Sequence, residues 1–272
     1  MRGNYPVQEI DSSLNSGAML RILALVLGLA SVAFAQSKVL YLTFDDGPQR
    51  GTAEVLEILA EQKAPATFFL TGSNALNVGG IEPQRDLVLR ILAEGHELGN
   101  HGYVHQPMTK AGYRSAYGDL SSDRQRGAFR TNYERNVDHF RKILAKPDLE
   151  LPFSRLPGDG STFAHLVAET ERLGMKYYAW QNEFAPNGDF RWLKHLDWHG
   201  ATGVAADYPE LPADGAVLLF HDRHWAGAKR GLLRNLLVTL KSKGYTFGKL
   251  SERRPAPARG ASKSAPATAP GP

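Results

Sequence analysis

The residues of this chain best equipped for chemistry lie in two stretches, Leu40-Tyr41-Leu42-Thr43-Phe44-Asp45-Asp46-Gly47-Pro48 and Gly99-Asn100-His101-Gly102-Tyr103-Val104-His105. The first is an apolar run that stops at two adjacent carboxylates and a Gly-Pro breaker, the pattern of a buried strand ending in a turn. Neighbouring side chains of a regular strand point to opposite faces, so Asp45 and Asp46 reach one pocket only where the pleat is lost, as Gly47-Pro48 would arrange. Two carboxylates so close repel each other unless a cation or an arginine compensates, and a metal on one would leave the other as a base. Taken alone, the stretch reads more readily as a solvated Asp-Gly turn. The second stretch carries histidines four apart, which fall on one side of a helical turn. With one carboxylate they make the three-ligand, open-site set of a catalytic metal, although histidines at this spacing by themselves read more readily as hydrogen-bonded core residues than as ligands.

Together, and in this order, the two stretches resemble the polysaccharide deacetylase family, also called the NodB-homology or carbohydrate esterase family four group. Thr43-Phe44-Asp45-Asp46-Gly47-Pro48 matches its first motif letter for letter. The second motif usually reads His-Ser/Thr-x-x-His, and Gly102 stands here where the family has a hydroxyl. Arg155-Leu156-Pro157-Gly158 is similar to the Arg-x-Pro motif, Asp197-Trp198 to an Asp-Trp motif, and Leu218-Leu219-Phe220-His221-Asp222 to the closing Leu-x-His-Asp motif. The likeness runs from about residue 38 to 250.

The resemblance implies a division of labour. Asp46, His101 and His105 would hold one divalent metal, zinc first, with cobalt or nickel also suited to these ligands. Asp45 would be the general base that takes a proton from the attacking water, held and aimed by Arg155. The Gly158 N–H, where the family often has tyrosine, would complete an oxyanion hole, and loss of the ring would open the groove. His221 would be the general acid, with Glu183 or Asp197 as the carboxylate that fixes its tautomer; Glu183 is preferred because it follows a strand directly, leaving Asp197 to hold Trp198. Leu219 and Trp198 read equally as walls of an acetyl pocket or as core, and Trp225 as a ring that stacks on a sugar face.

The activity implied is removal of N-acetyl groups from N-acetylglucosamine-containing polysaccharide, with peptidoglycan preferred over chitin oligomers. An acetyl-xylan or other carbohydrate O-acetyl esterase would use the same residues. A non-catalytic carbohydrate-binding relative would be expected to have lost the base, a ligand or the acid, and Asp45, Asp46, His101, His105 and His221 are all present.

Composition bounds the partners. The formal net charge is +4, and Arg253, Arg254, Arg259 and Lys263 in residues 253–272 account for all of it, so the rest of the chain has no basic surplus for nucleic acid. Residues 253–272, rich in Ala and Pro, read as a disordered basic tail. Residues 19–35 read as a secretory signal, with an apolar run from Ile22 to Val32 and a small-x-small site at Ala33-Phe34-Ala35; an uncleaved anchor is the other reading. Residues 1–18 are polar and patternless, which suits an upstream mis-start or a disordered segment. Export to the periplasm or beyond, without stable membrane insertion, is compatible with zero cysteines in a chain long enough for a full core. The oligomeric state is left open.

Between the ends, residues 36–252 read as one α/β catalytic domain, because short apolar runs alternate with helical stripes. Strands are expected at 39–44, 66–70, 96–99, 153–155, 176–181, 216–220 and 245–247, and helices around Val55–Leu59, Tyr133–Leu144, Leu166–Leu173 and Leu232–Leu240. Residues 106–130 read as a loop with a short helix. The resemblance implies a distorted (β/α) barrel of about seven parallel strands, and every motif above sits where an expected strand runs out, the catalytic end of such barrels.

Overall fold

A computed structural model describes residues 37–72, 81–184 and 212–253. The fold is built on one parallel sheet in the order β5-β4-β3-β2-β1-β7-β6. Its strands are β1 (Lys38–Gly47), β2 (Ala66–Leu70), β3 (Glu97–Asn100), β4 (Phe153–Ser154), β5 (Lys176–Tyr177), β6 (Asn182–Phe184), β7 (Val217–His221) and β8 (Tyr245–Phe247). β8 pairs only with the start of β1, at Lys38–Leu40, and β2 and β7 take the rest of that strand.

β5 and β6 lie at opposite ends of the sheet yet are separated by only Tyr178–Gln181. Five extended residue steps span at most about 17 Å, so the sheet must curl until its ends nearly meet. The bridging residues touch both sides: Tyr178 N–H donates to Ser154 O (2.9 Å) and Gln181 N–H to Val217 O (3.0 Å). The barrel is thus closed by the chain rather than by a ladder, a distorted (β/α) barrel as expected, with eight strands among the described residues.

Alternation along β1 divides the core. Leu40, Leu42 and Phe44 face outward into a cluster with Phe68, Leu70, Leu218 and Phe220 beneath the helices. Tyr41 joins Phe69, Phe153, Tyr178 and Val217 in a separate inner cluster. A strand buried on both faces reads as continuously apolar, which is why β1 is so plain in the sequence. Thr43 and Asp45 continue the inner face toward the carboxyl end.

The helices are α1 (Thr52–Glu61), α2 (Ile81–Ala93), α3 (Lys110–Ala116), α4 (Asp123–Leu144), α5 (Ala164–Arg172) and α6 (Arg230–Ser242). α6 buries Leu233, Leu236, Leu237 and Leu240, one helical stripe, and pairs with α1 through Arg230–Glu57 (2.9 Å) and Arg234–Glu61 (2.6 Å).

Two expectations are corrected. Residues 176–181 are not one strand: β5 ends at Tyr177 and a new strand begins at Asn182, because the chain crosses from one sheet end to the other between them. Residues 106–130 hold α3 and the first turns of α4, whose start is fixed by a capping box between Ser122 and Gln125. The expected signal at 19–35, the upstream segment 1–18 and the tail beyond Arg253 lie outside the described residues.

Candidate active site

The site is built at the carboxyl ends of β1, β3, β4 and β7. At Asp46 the backbone turns to φ 71°, a conformation uncommon outside glycine, and the β1–β2 register slips between Asp45 and Gly47. This bulge brings both carboxylates to one pocket, where His101 Nε2 stands 3.7 Å from Asp45 Oδ2 and 3.4 Å from Asp46 Oδ1. The pleat is lost one residue earlier than Gly47-Pro48 alone would place it.

Arg155 is fully buried beside Asp45. Its Nη1 donates to Asp45 Oδ1 (2.7 Å) and Thr43 Oγ1 (2.8 Å), and its Nε to Tyr178 O (2.9 Å). The Thr43 hydroxyl can accept because it donates its own proton to Leu218 O (2.8 Å). The guanidinium carbon lies 4.2 Å from the centre of the Phe69 ring. A planar cation in this position leaves Asp45 little freedom to rotate.

Asp46, His101 and His105 bring one ligand atom each to within 4.8 Å of one another. His101 Nδ1 lies 2.9 Å from Arg155 O and donates there, which leaves Nε2 as the ligating nitrogen. Ligands bound about 2.1 Å from a tetrahedral ion stand about 3.4 Å apart. His101 Nε2 to Asp46 Oδ1 is 3.4 Å, and His105 Nε2 to the same oxygen is 2.8 Å, so the donor set and spacing fit a divalent ion.

The loop between the two histidines is set by two asparagines. Gly102 N–H donates to Asn100 Oδ1 (2.9 Å), while Asn132 accepts from Val104 N–H (2.8 Å) and donates to Val104 O (3.2 Å). Gly102 itself has φ 81°, and a Cβ there would come within 2.7 Å of Asn132 Nδ2. Asn100 and Asn132 thus orient this loop without a hydroxyl at position 102.

His221 sits in register with Asp45 across β1 and β7, its Nε2 3.8 Å from Asp46 Oδ2. Burial pulls its imidazole below the ordinary histidine range, and the charges of Asp45 and Asp46 oppose that pull only in part. At His101 the balance reverses: burial lowers the pKa, but Asp45 and Asp46 outweigh it and raise the imidazole above its usual value. For Asp46 burial alone would raise the carboxyl, yet the hydrogen bonds and charges of His101 and His105 hold it well below the usual range. Burial pushes the Asp222 carboxyl up to about 7, against the hydrogen bond from Thr52.

Against this geometry the comparisons are specific. Residues 35–178, more than half of the chain, match the family model described as polysaccharide deacetylase. The chain belongs to the polysaccharide deacetylase family. Among its relatives, a chitooligosaccharide deacetylase of Rhizobium leguminosarum bv. trifolii is 42% identical over 70% of this chain and 74% of that one. A peptidoglycan-N-acetylglucosamine deacetylase of Bacillus cereus is 29% identical over 78% of this chain and 69% of that one. The chain spans only 39% of the length of a peptidoglycan-N-acetylglucosamine deacetylase of Listeria monocytogenes. A solved family 4 carbohydrate esterase from Bacillus anthracis superposes with a TM-score of 0.54 at 26% identity, covering 80% of this chain and 83% of that one.

Within this family member the structure brings Asp45, Asp46, His101, His105, Arg155 and His221 together. Leu219 is buried on the inner face, in register with Thr43. Trp225 is not available to a sugar face: it is 2% exposed and packs on Phe220 in the outer core, 5.8 Å between ring centres. The turn Asp222–Trp225 folds the indole back beneath α6 instead of over the pocket. Nor does Gly158 leave an open groove, since a Cβ there would collide with Met108 O; the loop after His105 fills that space, and φ is 50°. Glu183 lies in β6 in register with Leu219, two residues short of His221. Asp197 and Trp198 lie outside the described residues.

Sequence reasoning missed Arg223, whose Nη1 donates to Asp46 Oδ2, and Asn132. The only signal for Arg223 was a basic residue immediately after His221-Asp222. Nothing local marks Asn132, because its role depends on α4 lying against the histidine loop.

Proposed function

We propose that this protein is a metal-dependent hydrolase that removes N-acetyl groups from N-acetylglucosamine-containing polysaccharide, with peptidoglycan the preferred substrate. The observation that carries the reading is a buried Asp45–Arg155 pair directly beside the Asp46–His101–His105 cluster, a base and a metal site sharing one pocket. A bound divalent ion, zinc first and cobalt or nickel next, would polarise the acetyl carbonyl and acidify the attacking water.

The chain's own residues do the rest. Asp45, with Oδ1 occupied by Arg155, has Oδ2 to accept the proton of the attacking water. His221, on the neighbouring strand in register with Asp45, donates a proton to the departing amine, with Glu183 as the carboxylate that supports it. The Gly158 N–H remains the proposed second donor to the developing oxyanion.

The Rhizobium relative, at 42% identity the most similar in sequence of the three relatives named above, favours chitin oligomers as a second reading. The same proposal takes the enzyme outside the cytoplasm on the strength of residues 19–35, and no helix among the described residues is long and apolar enough to cross a membrane. Mass spectrometry of peptidoglycan saccharides, chitin oligomers and acetyl-xylan after incubation with the metal-loaded protein tests all three. Loss of acetyl from amino sugars is expected; release only from acetyl-xylan would replace the amidase reading with an esterase.

A further inference from the structure

Arg223 has no part in the chemistry above, yet it stands in the pocket. It lies in the turn Asp222–Trp225 directly after β7, and its Nη1 donates to the Asp46 carboxylate. Arg155, the other guanidinium of the site, is sealed, with a side-chain exposure of 0%, whereas Arg223 keeps 31%. Among the described residues no acceptor meets Arg223 Nε or Nη2. Those two nitrogens form the guanidinium edge that grips a carboxylate bidentately.

Charge points the same way. The carboxylates of Asp45 and Asp46 face the guanidinium groups of Arg155 and Arg223, so these four charges cancel before any metal is counted. His224, next in sequence, does not add to this at neutral pH: burial, with the charge of Arg223, lowers its pKa to about 4. A divalent ion on Asp46, His101 and His105 would add positive charge directly beside this solvent-facing fork. Such a site favours an anion over a neutral sugar.

We propose that Arg223 is a substrate-binding residue that takes a carboxylate carried by the glycan, on the reacting amino sugar or on the sugar next to it. The proposal rests on the deacetylase reading and narrows its substrate class to acidic glycans. Arg223 holds Asp46 with one nitrogen and the substrate with the opposite edge, which couples recognition of the anion to placement of the acetamido group at the metal ligands.

The test uses the metal-loaded full chain and two probes: a peptide-free peptidoglycan saccharide with its lactyl carboxylates free, and the same saccharide with those carboxylates reduced to alcohols. Acetate release gives kcat/KM for each. The acid form is expected to be preferred by about 10- to 100-fold, the worth of a charge-assisted bidentate contact. In Arg223→Gln that ratio should collapse toward one, and Arg223→Lys should keep part of it through charge alone. A purely structural clamp on Asp46 would lower both rates equally and leave the ratio where it was. Calorimetric binding of the acid form to the Asp45→Asn variant should weaken by the same factor when Arg223→Gln is added. A wild-type ratio near one, or a ratio unchanged in Arg223→Gln, overturns the proposal. No acetate from either probe overturns the deacetylase reading beneath it. Fragment masses of the product show which sugar lost its acetyl group relative to the carboxylate.

Discussion

Replacing Arg155 by methionine should be among the most damaging single changes in this protein, for a reason that can be separated from catalysis. The guanidinium is fully buried and satisfies Asp45 Oδ1, Thr43 Oγ1 and Tyr178 O at 2.7–2.9 Å. Methionine fills much of the volume between Phe69 and Trp180 but strands the Asp45 carboxylate, which is only 3% exposed. Removing one partner of a buried ion pair costs about 3–5 kcal/mol, chiefly because the other charge is left uncompensated. For a domain of this size that is a fall in Tm of about 6–20 °C. Thermal unfolding followed by circular dichroism measures it, with a chelator present so that metal binding adds nothing to the native state. In an Asp45→Asn background the same Arg155→Met change should cost about 2–3 kcal/mol less, since no charge remains to strand. A Tm shift under about 3 °C, or equal shifts in the two backgrounds, would mean that the pair is not what holds this end of the barrel.

Asp45→Asn should keep the metal while turnover falls by about two to four orders of magnitude, and His101→Ala should empty the site. Metal analysis beside rates decides this, and an empty site in Asp45→Asn with near-normal turnover when metal is resupplied would exchange the two aspartates. Glu183→Gln should move the alkaline limb of the kcat/KM profile to lower pH, because burial already lowers the His221 pKa and a carboxylate opposes that; an unmoved limb, with a shifted one in Asp197→Asn, would transfer the role to Asp197. Gly102→Ser restores the hydroxyl usual at this position but should lower stability by about 1–3 kcal/mol, as φ is 81° and Asn132 is in the way; a higher Tm would contradict this. The Asp222 carboxyl is raised from 3.8 to about 7 on folding, so the folded state holds its proton longer than the unfolded one. Its contribution to stability is full below about pH 4 and is lost as pH rises through 7. Asp222→Asn should therefore flatten chemical-denaturation stability between those limits, and an unchanged slope would show that Asp222 is not buried as described.

What could be read from the sequence alone is what depends on local pattern. β1 is buried on both faces, so it is an unbroken apolar run, and the two aspartates stand where it stops. Histidines four apart, an arginine directly after β4 and a histidine ending β7 follow the same rule, because catalytic groups of such barrels collect at strand ends. The capping box at Ser122 was equally local and could have set the start of α4; it was hidden by the polar face of a helix that buries only Phe129, Tyr133, Asn136, Phe140 and Leu144. Other features exist only through long-range contact. Whether Trp225 meets a sugar or the core depends on how a four-residue turn folds against α6, and both outcomes suit the same residue type. Gly158 reads as an empty place until the backbone of Met108 is found in it. Arg223 and Asn132 carry no periodicity and no motif; they matter because the turn after β7 and the face of α4 come within hydrogen-bond distance of Asp46 and Val104. Backbone pattern is written in neighbouring residues, whereas the partner of a polar side chain is chosen by packing between segments 28 to 177 positions apart.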